Sequence, residues 1–456
     1  MRILSRENLQ KLFLAGILLG VPLYQKFPLL EVPGTFVRIR IEDFLIFFIS
    51  IYVAVHYLPR LNLFFKKSLE RSIILFWIVG LVSLVSAIFV TKTVIPHIGF
   101  LHWARRVEYM IVVFFALSLI KSKSRDIVDF TVKLLLIATF AVFIYGVGQK
   151  YFHWPVIITQ NEQYSKGIAL RFVPGAHLTS TFAGHYDLAS FMVLVLPVFV
   201  ASFFVIRGRI SKFLLFTAVL VGLWVLANTL SRTSVVSYFF AVGLALFLIK
   251  KYKEIVAVFL VSLVVFSFSS NLFDRYLRII EVARENLTKI MFVVPAPVLA
   301  QTEPLPSRIS SQSPTPTPIA VFEDRSTSIR FNVEWPRAIR AFKKNPILGT
   351  GYSSITLATD NDYLRALGEI GILGMFSFLL VIALVFLEVR GVYPLTRNFT
   401  GLELGFAAGV VGATVGVLVN AVFIDVFESS KLAIIFWLMI GILVCLVRSE
   451  KYQKNA

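Results

Sequence analysis

Residues 188–206 read LASFMVLVLPVFVASFFVI, nineteen residues without a charge. At a rise of 1.5 Å per residue, ~20 apolar residues are what an α-helix needs to cross a hydrocarbon core. Lipid offers the backbone no hydrogen-bond partner, so such a segment closes its own bonds as a helix. Working outward in both directions, comparable runs fall at 9–24, 42–58, 73–90, 106–120, 130–148, 212–230, 233–249, 254–270, 366–389, 402–424 and 430–447. The expectation is an all-α polytopic membrane protein of about twelve transmembrane helices. Composition agrees, because 57% of the 456 residues are hydrophobic and 16% charged, and mean hydropathy is +0.80, far from the soluble average. The first run has a basic start but no A-x-A-like cleavage site, and further spans follow it, so it reads as retained.

Orientation follows from Lys and Arg, which stay on the cytoplasmic side of short connections. With the N-terminus inside, the cytoplasmic connections carry 21 such residues against 11 outside, the long 271–365 segment left aside. Both termini are therefore expected in the cytoplasm, in a plasma (inner) membrane. The net charge of +19 sits largely in those cytoplasmic clusters, where it serves topology and contact with anionic lipid. A nucleic-acid partner is excluded for want of a basic soluble domain.

Cys445 is the only cysteine, which excludes an intramolecular disulfide and a thiolate metal cluster. His97, His102, His153, His177 and His185 fall in outer connections without the i, i+4 spacing of a zinc helix. No cofactor is expected. Two outer segments, 149–187 and 271–365, exceed the length of ordinary connections. Within the second, which joins spans nine and ten, residues 295–320 are rich in Pro, Ser and Thr and read as a flexible insertion. After it, 326–344 alternates Ile329, Val333, Ala338, Ile339 and Phe342 with Arg337, Arg340, Lys343 and Lys344, the pattern of an amphipathic helix on a membrane surface. Pro336 breaks that run or starts its second half.

In this topology Arg105, Arg106, Arg171, Arg232 and Arg330, spread over more than two hundred residues, share one membrane face. Arg105 and Arg106 sit where the fourth span begins, in HWARRVEYM, and Arg232 lies in a connection of two or three residues, in TLSRTS. Each has a bland reading. The first two could snorkel to headgroups, whereas Arg171 and Arg330 could be solvated surface charges. For Arg232 so short a turn turns the side chain toward the bundle or a cavity, where ionisable groups are usually working residues. Guanidinium offers a planar fork and a permanent charge, which suits a diphosphate held as leaving group.

At 345–374 the chain reads NPILGTGYSSITLATDNDYLRALGEIGILG. With Arg105 to Tyr109, STFAGHYDLASFMVLVLP at 180–197, LSRTS at 230–234, and Arg330 with Trp335 ahead of the Pro346–Gly351 turn, it resembles the O-antigen ligase and polymerase superfamily. These are multi-spanning bacterial enzymes that transfer glycans from undecaprenyl diphosphate, and the segments run in the family's order from about residue 105 to 374. The resemblance implies an outward-facing cavity under the long loop and arginines holding the diphosphate. It also implies an inverting glycosyl transfer without nucleotide sugar, the attacking group being an acceptor hydroxyl, and no metal is expected to be required. Ligases of the family carry His immediately before the Asn of an H-N-x-x-L pattern, and this chain has Asp360 there, followed by Asn361, Asp362, Tyr363 and Leu364. That departure points toward a polymerase-like member or another glycan transferase.

The expected assignment therefore gives Arg105, Arg106, Arg171, Arg232 and Arg330 to the diphosphate, and Asp360 with Asn361 to the acceptor or sugar. Burial could make Asp360 a general base, or it could orient a hydroxyl. Its plain alternative is an N-cap for span ten. His185 and Asp187 are secondary candidates, whose plain reading is a cap for span six, and Glu369 is a third, whose plain reading is an i, i+4 pair with Arg365. Asp360, Asp362 and a diphosphate would also make a familiar Mg2+ ligand set. Expected partners are the undecaprenyl-diphosphate-linked glycan donor, a glycan or lipid-linked acceptor, and membrane lipid. Rival readings are a flippase or transporter of a lipid-linked anionic glycan, which needs polar groups at mid-membrane depth, and a scaffold subunit that docks partners through its outer loop.

Overall fold

A computed structural model of the chain describes residues 5–25, 27, 29–32, 38–60, 65–121, 124–157, 169, 170, 172, 173, 175–268, 329–356 and 358–455. The helices are α1 (Arg6–Ala15, continued through a π turn Gly16–Gly20 into Val21–Leu23), α2 (Ile41–Tyr57), α3 (Ser68–Phe89), α4 (Pro96–Leu117), α5 (Ser124–Phe152), α6 (His185–Val205), α7 (Arg209–Thr229), α8 (Arg232–Leu248), α9 (Tyr252–Ser267), α10 (Trp335–Lys344), α11 (Asp362–Arg390), α12 (Gly401–Asn420) and α13 (Ser430–Asn455). Two two-stranded ribbons, Leu30–Glu31 with Arg38–Ile39 and Val156–Ile157 with Ala169–Leu170, are the described β-structure.

Helix therefore occupies each apolar run of the sequence, and the chain is a multi-pass membrane protein in composition and build. Among the described residues seven helices, α3, α5, α6, α7, α11, α12 and α13, are long and apolar enough to cross a membrane. The count of twelve is met only to that extent. The remaining five fall short for visible reasons: α2, α8 and α9 have 17, 17 and 16 residues, α1 passes through a π turn, and α4 carries Arg105, Arg106 and Glu108. That helix also starts earlier than the apolar run suggests. Pro96 occupies its first position, where the missing N–H costs nothing, so Arg105 and Arg106 lie about 14 Å along it rather than at its start.

The centre of the bundle is α6, α12 and α13, whose apolar windows are 83%, 72% and 100% buried. Small residues permit the close approach: a side chain at Gly405 or Gly409 would meet the backbone of Ser202 or Val198 on α6, and one at Gly412 the backbone of Ala241 on α8. Around the rim the exposed residues are apolar, as with Val256, Leu260, Leu263 and Val264 of α9. Lipid accepts such a surface and water does not.

Among the described residues, buried charged contacts gather toward both ends of the bundle. At one end Arg448 pairs with both carboxylate oxygens of Glu70, at 2.6 and 3.0 Å, and with Glu388, which also holds Lys451. At the other end the fully buried Lys431 donates to the carbonyl oxygens of Pro22 and Thr181. This second end, where α4, α6, α8, α11 and α13 begin, also carries residues 329–361 and is called the loop end below.

The 345–351 turn is built into a break in α11. Gly371 has φ +67°, a left-handed conformation open to glycine, and interrupts the helix. The carbonyls of Gly368 and Glu369, released by the break, accept from the N–H groups of Thr350 and Gly351 at 2.9 and 2.7 Å. In return Ile372 N–H donates to Pro346 O and Leu373 N–H to Ile347 O. Ser83 of α3 donates to Leu348 O and Glu369 O and closes the joint. So the NPILGTG and GEIGILG stretches are two halves of one backbone junction, which fixes residues 362–370 as a separate short helical piece at the loop end.

Candidate functional site

The loop end gathers its charges into an almost continuous row. Asn361 caps α11, its side chain accepting from Leu364 N–H at 2.9 Å, and so relieves Asp360 of that role. Asp360 takes the left-handed region at φ +48°, a conformation costing a non-glycine residue about 1–3 kcal/mol and found where surrounding structure enforces it. Here the enforcement is Asp425, which accepts from Thr359 N–H at 2.8 Å and Asn361 N–H at 3.1 Å, on either side of Asp360. Held this way, Asp360 faces Arg330, whose Nε and Nη2 both donate to Oδ2, at 3.0 and 2.8 Å. Arg330 is itself buried, 7% exposed, and also donates to the Tyr186 hydroxyl at 3.3 Å. Burial raises the Asp360 carboxyl above its ordinary range, Arg330 pulls it back, and Asp425 pushes it up again.

From Tyr186 the row continues away from Asp360. His185 packs on Tyr186 at 4.0 Å between ring centroids and stacks on His177 at 4.1 Å, and His177 Nδ1 lies 3.1 Å from the Thr229 carbonyl oxygen. Thr229 ends α7, and Arg232 opens α8 three residues later, half-buried. Ser231 caps α8, and Ser234 beside it reaches Asn420 of α12, which in turn donates to Ser190 of α6. The first residues of two helices, α6 and α8, therefore belong to the row. Helix N-termini favour an anion through their dipoles.

On the other side of Asp425 the charges are already matched. Arg365 pairs with Asp425 at 3.0 Å, Glu428 at 3.2 Å and Glu369 at 3.6 Å. Arg106 pairs with Glu428, donates to the Phe427 carbonyl and lies over the Tyr352 ring. Asp362 accepts from the N–H groups of Val426 and Phe427. Arg106, Asp362, Arg365, Glu369 and Glu428 line a cavity of about 70 Å³ whose remaining lining is mostly apolar, including Phe76, Met110, Phe378 and Trp437. Arg105, about 100° around the helix from Arg106, turns to α2 instead, donating to Arg38 O at 2.7 Å and pairing with Asp43 at 3.3 Å.

The sequence candidates thus divide. Arg330, Asp360 and His185 come together, with Arg232 further along the same row. Asn361 is adjacent with its side chain occupied as a cap. Arg106 and Glu369 belong to the carboxylate-matched cavity, as the i, i+4 pairing of Glu369 with Arg365 suggests, and Arg105 stands apart. Asp187 lies half-buried in the first turn of α6. Arg171, the insertion at 295–320 and residues 326–328 of the amphipathic segment lie outside the described residues. Its remainder forms the π turn Arg330–Glu334 and α10, which buries Ala338. A Cβ at Gly368 of α11 would meet the Ala338 carbonyl, so this helix lies directly on α11.

Sequence reasoning missed Tyr186, Glu334, Asp425 and Glu428, and gave Arg365 only its pairing role. Asp425 and Glu428 had a signal available: FIDVFESS at 423–430 puts two acids in a turn between apolar spans. Glu334 lies one turn after Arg330; burial pushes its carboxyl up to about 7, with Asp360 adding to the rise and Arg330 opposing it. Among the described residues no group of three or more His, Cys, Asp or Glu is placed to hold a metal ion.

Residues 216–379, from within α7 through the break in α11, match the family model described as O-Antigen ligase. A comparison with curated proteins gives no match.

Proposed function

From membership of the O-antigen ligase/polymerase superfamily, which the match over residues 216–379 supports, and the glycosyl-transfer role that goes with it, we propose a specific site and reaction. The donor is an undecaprenyl-diphosphate-linked glycan, the acceptor a glycan or lipid-linked hydroxyl, and the reaction runs at the outer leaflet of the inner membrane with both termini in the cytoplasm. The observation that carries this reading is the row from Asp360 through Arg330 and Tyr186 to the α7–α8 turn. It combines a buried guanidinium and two helix N-termini, and its carboxylate, Asp360, is already matched by that guanidinium.

The diphosphate lies along this row, with Arg330 and Arg232 as its cationic contacts and Arg171 as a further one from the 149–187 outer segment. As the anomeric C–O bond breaks, charge grows on the departing phosphate oxygen, and fixed donors of this kind lower the barrier because they need no reorganisation. Arg105 and Arg106 act at one remove. Their guanidinium groups are committed off this row, Arg105 to the Arg38 carbonyl and Asp43 and Arg106 to the Phe427 carbonyl and Glu428. The Arg106, Arg365, Glu428 and Asp425 group instead holds the 359–362 backbone, and so Asp360, in position. Asp360 in turn fixes Arg330 and leaves Oδ1 for an acceptor hydroxyl. The transfer proceeds without a metal, with inversion at the anomeric carbon as the expected stereochemistry.

The test is product analysis with purified protein and a labelled undecaprenyl-diphosphate oligosaccharide. The reading expects release of undecaprenyl diphosphate with a lengthened or transferred glycan, and loss of both in Asp360→Ala and Arg232→Ala. Full turnover in either variant contradicts the assignment, and translocation without bond cleavage would make the protein a flippase.

A further inference from the structure

We propose that Glu334 is the general base that takes the proton of the acceptor hydroxyl, in a small acceptor-sugar subsite formed with Trp335 and Thr359. The inference rests on the glycosyl-transfer reading above and assigns a group that neither the sequence motifs nor the family match points to.

The geometry comes first. The π turn Arg330–Glu334 places Glu334 close to one helical turn beyond Arg330, and therefore beside Asp360, which Arg330 binds. Three side-chain atoms here are buried and make no hydrogen bond: Glu334 Oε2, Trp335 Nε1 and Thr359 Oγ1. A buried acceptor, an indole N–H donor and a hydroxyl are costly to leave without partners unless something polar meets them, and a sugar edge presents matching hydroxyls. Trp335 also supplies an apolar face, packed edge-on by Phe331 at 4.5 Å and flanked by Phe423 at 6.4 Å. Phe423 is two residues from Asp425, whose bonds hold Thr359 and Asn361, so the aromatic wall and the Asp360 loop share one support.

Chemistry then separates the two carboxylates. Asp360 spends Oδ2 on two hydrogen bonds from a guanidinium, which lowers its basicity. Glu334 has no such partner, and with burial and the neighbouring Asp360 and Asp425 it titrates at about 7, against the pull of Arg330 and Arg337. The charged groups of α11 at this end are committed elsewhere, Asp362 to the Val426 and Phe427 N–H groups and Arg365 to Asp425, Glu428 and Glu369. A base is most effective when its pKa lies near the working pH. The acceptor oxygen bonds to the anomeric carbon as its proton passes to Glu334. The anomeric C–O bond to phosphate breaks, its electron pair leaves with the diphosphate, and Glu334 returns the proton to water.

The experiment is a pH profile of kcat and KM, from pH 5 to 9, for the full chain in nanodiscs with labelled undecaprenyl-diphosphate oligosaccharide. For the wild type, kcat should rise through about pH 7 to a plateau, because the deprotonated form is the active one. Glu334→Gln should lower kcat by about 10²–10⁴-fold, remove that rise and leave KM and the thermal midpoint near wild type. Glu334→Asp should restore part of the rate. Asp360→Asn should be slower than wild type yet keep the rise. Wild-type kcat with an intact rise in Glu334→Gln overturns the inference, as does loss of donor binding in that variant. Failure of the wild type to cleave the donor instead overturns the glycosyl-transfer reading.

Discussion

Arg330 gives both Nε and Nη2 to a single oxygen of Asp360, at 3.0 and 2.8 Å, across thirty residues of chain. The hold is two-point and planar, which lysine cannot reproduce. Arg330→Lys is therefore expected to keep the charge and still lose about tenfold or more in kcat/KM, corresponding to at least ~1.4 kcal/mol of transition-state stabilisation. A double-mutant cycle of Arg330→Ala and Asp360→Ala on chemical unfolding should return a coupling of about 1–3 kcal/mol. Additive effects would mean that the two groups do not act on each other.

Arg106 and Arg232 should behave differently although both are arginines at the same end. Arg106→Gln removes one of the two arginines paired with Glu428, Arg365 being the other, together with the donor to the Phe427 carbonyl, a loss of about 1–3 kcal/mol. Arg106→Gln is thus expected to lower the thermal midpoint sharply. Arg232→Gln is expected to raise KM for the lipid-linked donor with little change in melting. Thermal scans beside initial-rate measurements distinguish them, and equal melting losses would undo the division of the site into a binding row and a supporting cluster.

Gly371 is the fixed point of the loop junction. A Cβ there would collide with the Ile347 carbonyl, and φ +67° disfavours any L side chain. Gly371→Ala should cost about 2 kcal/mol or more through strain alone, read as a loss of folded protein in detergent. Ala at Gly20, where nothing lies within 4 Å, is the matched control and should be tolerated.

Much of the bundle could be read directly from the sequence, because a helix in lipid is specified by one property, a sustained apolar run, and each such run became helix. Its ends could not. Arg105 and Arg106 marked the start of a span by hydropathy, yet Pro96 and a string of half-polar residues carry α4 nine residues further back. The site was half legible. Arg330, Asp360 and His185 stood out through motif order, but their partners Tyr186, Asp425 and Glu334 are ordinary residues until folding sets them beside a charge. Asn361 and Asp360 show the limit most clearly. Sequence offered either one as a cap, and only the left-handed backbone at Asp360, imposed by Asp425 from 65 residues away, decides that Asn361 caps and Asp360 turns to Arg330.

The opposite end of the bundle provides a structural contrast. Glu70→Gln weakens the pairing with Arg448 that ties α3 to α13, so stability should fall by about 3 kcal/mol. The kcat of the fraction that remains folded should be unchanged. A drop in kcat for folded Glu70→Gln would show that the two ends are coupled.

The most direct measurement is single-turnover release of undecaprenyl diphosphate from a labelled lipid-linked oligosaccharide in nanodiscs, for the wild type, Arg330→Gln and Arg232→Gln. Release by the wild type, slowed about 10²–10³-fold in each variant, as loss of a donor to a developing oxyanion requires, is the predicted result. Release at wild-type rate in both variants would contradict the account, because the diphosphate would then be held somewhere other than the row from Asp360 to the α7–α8 turn.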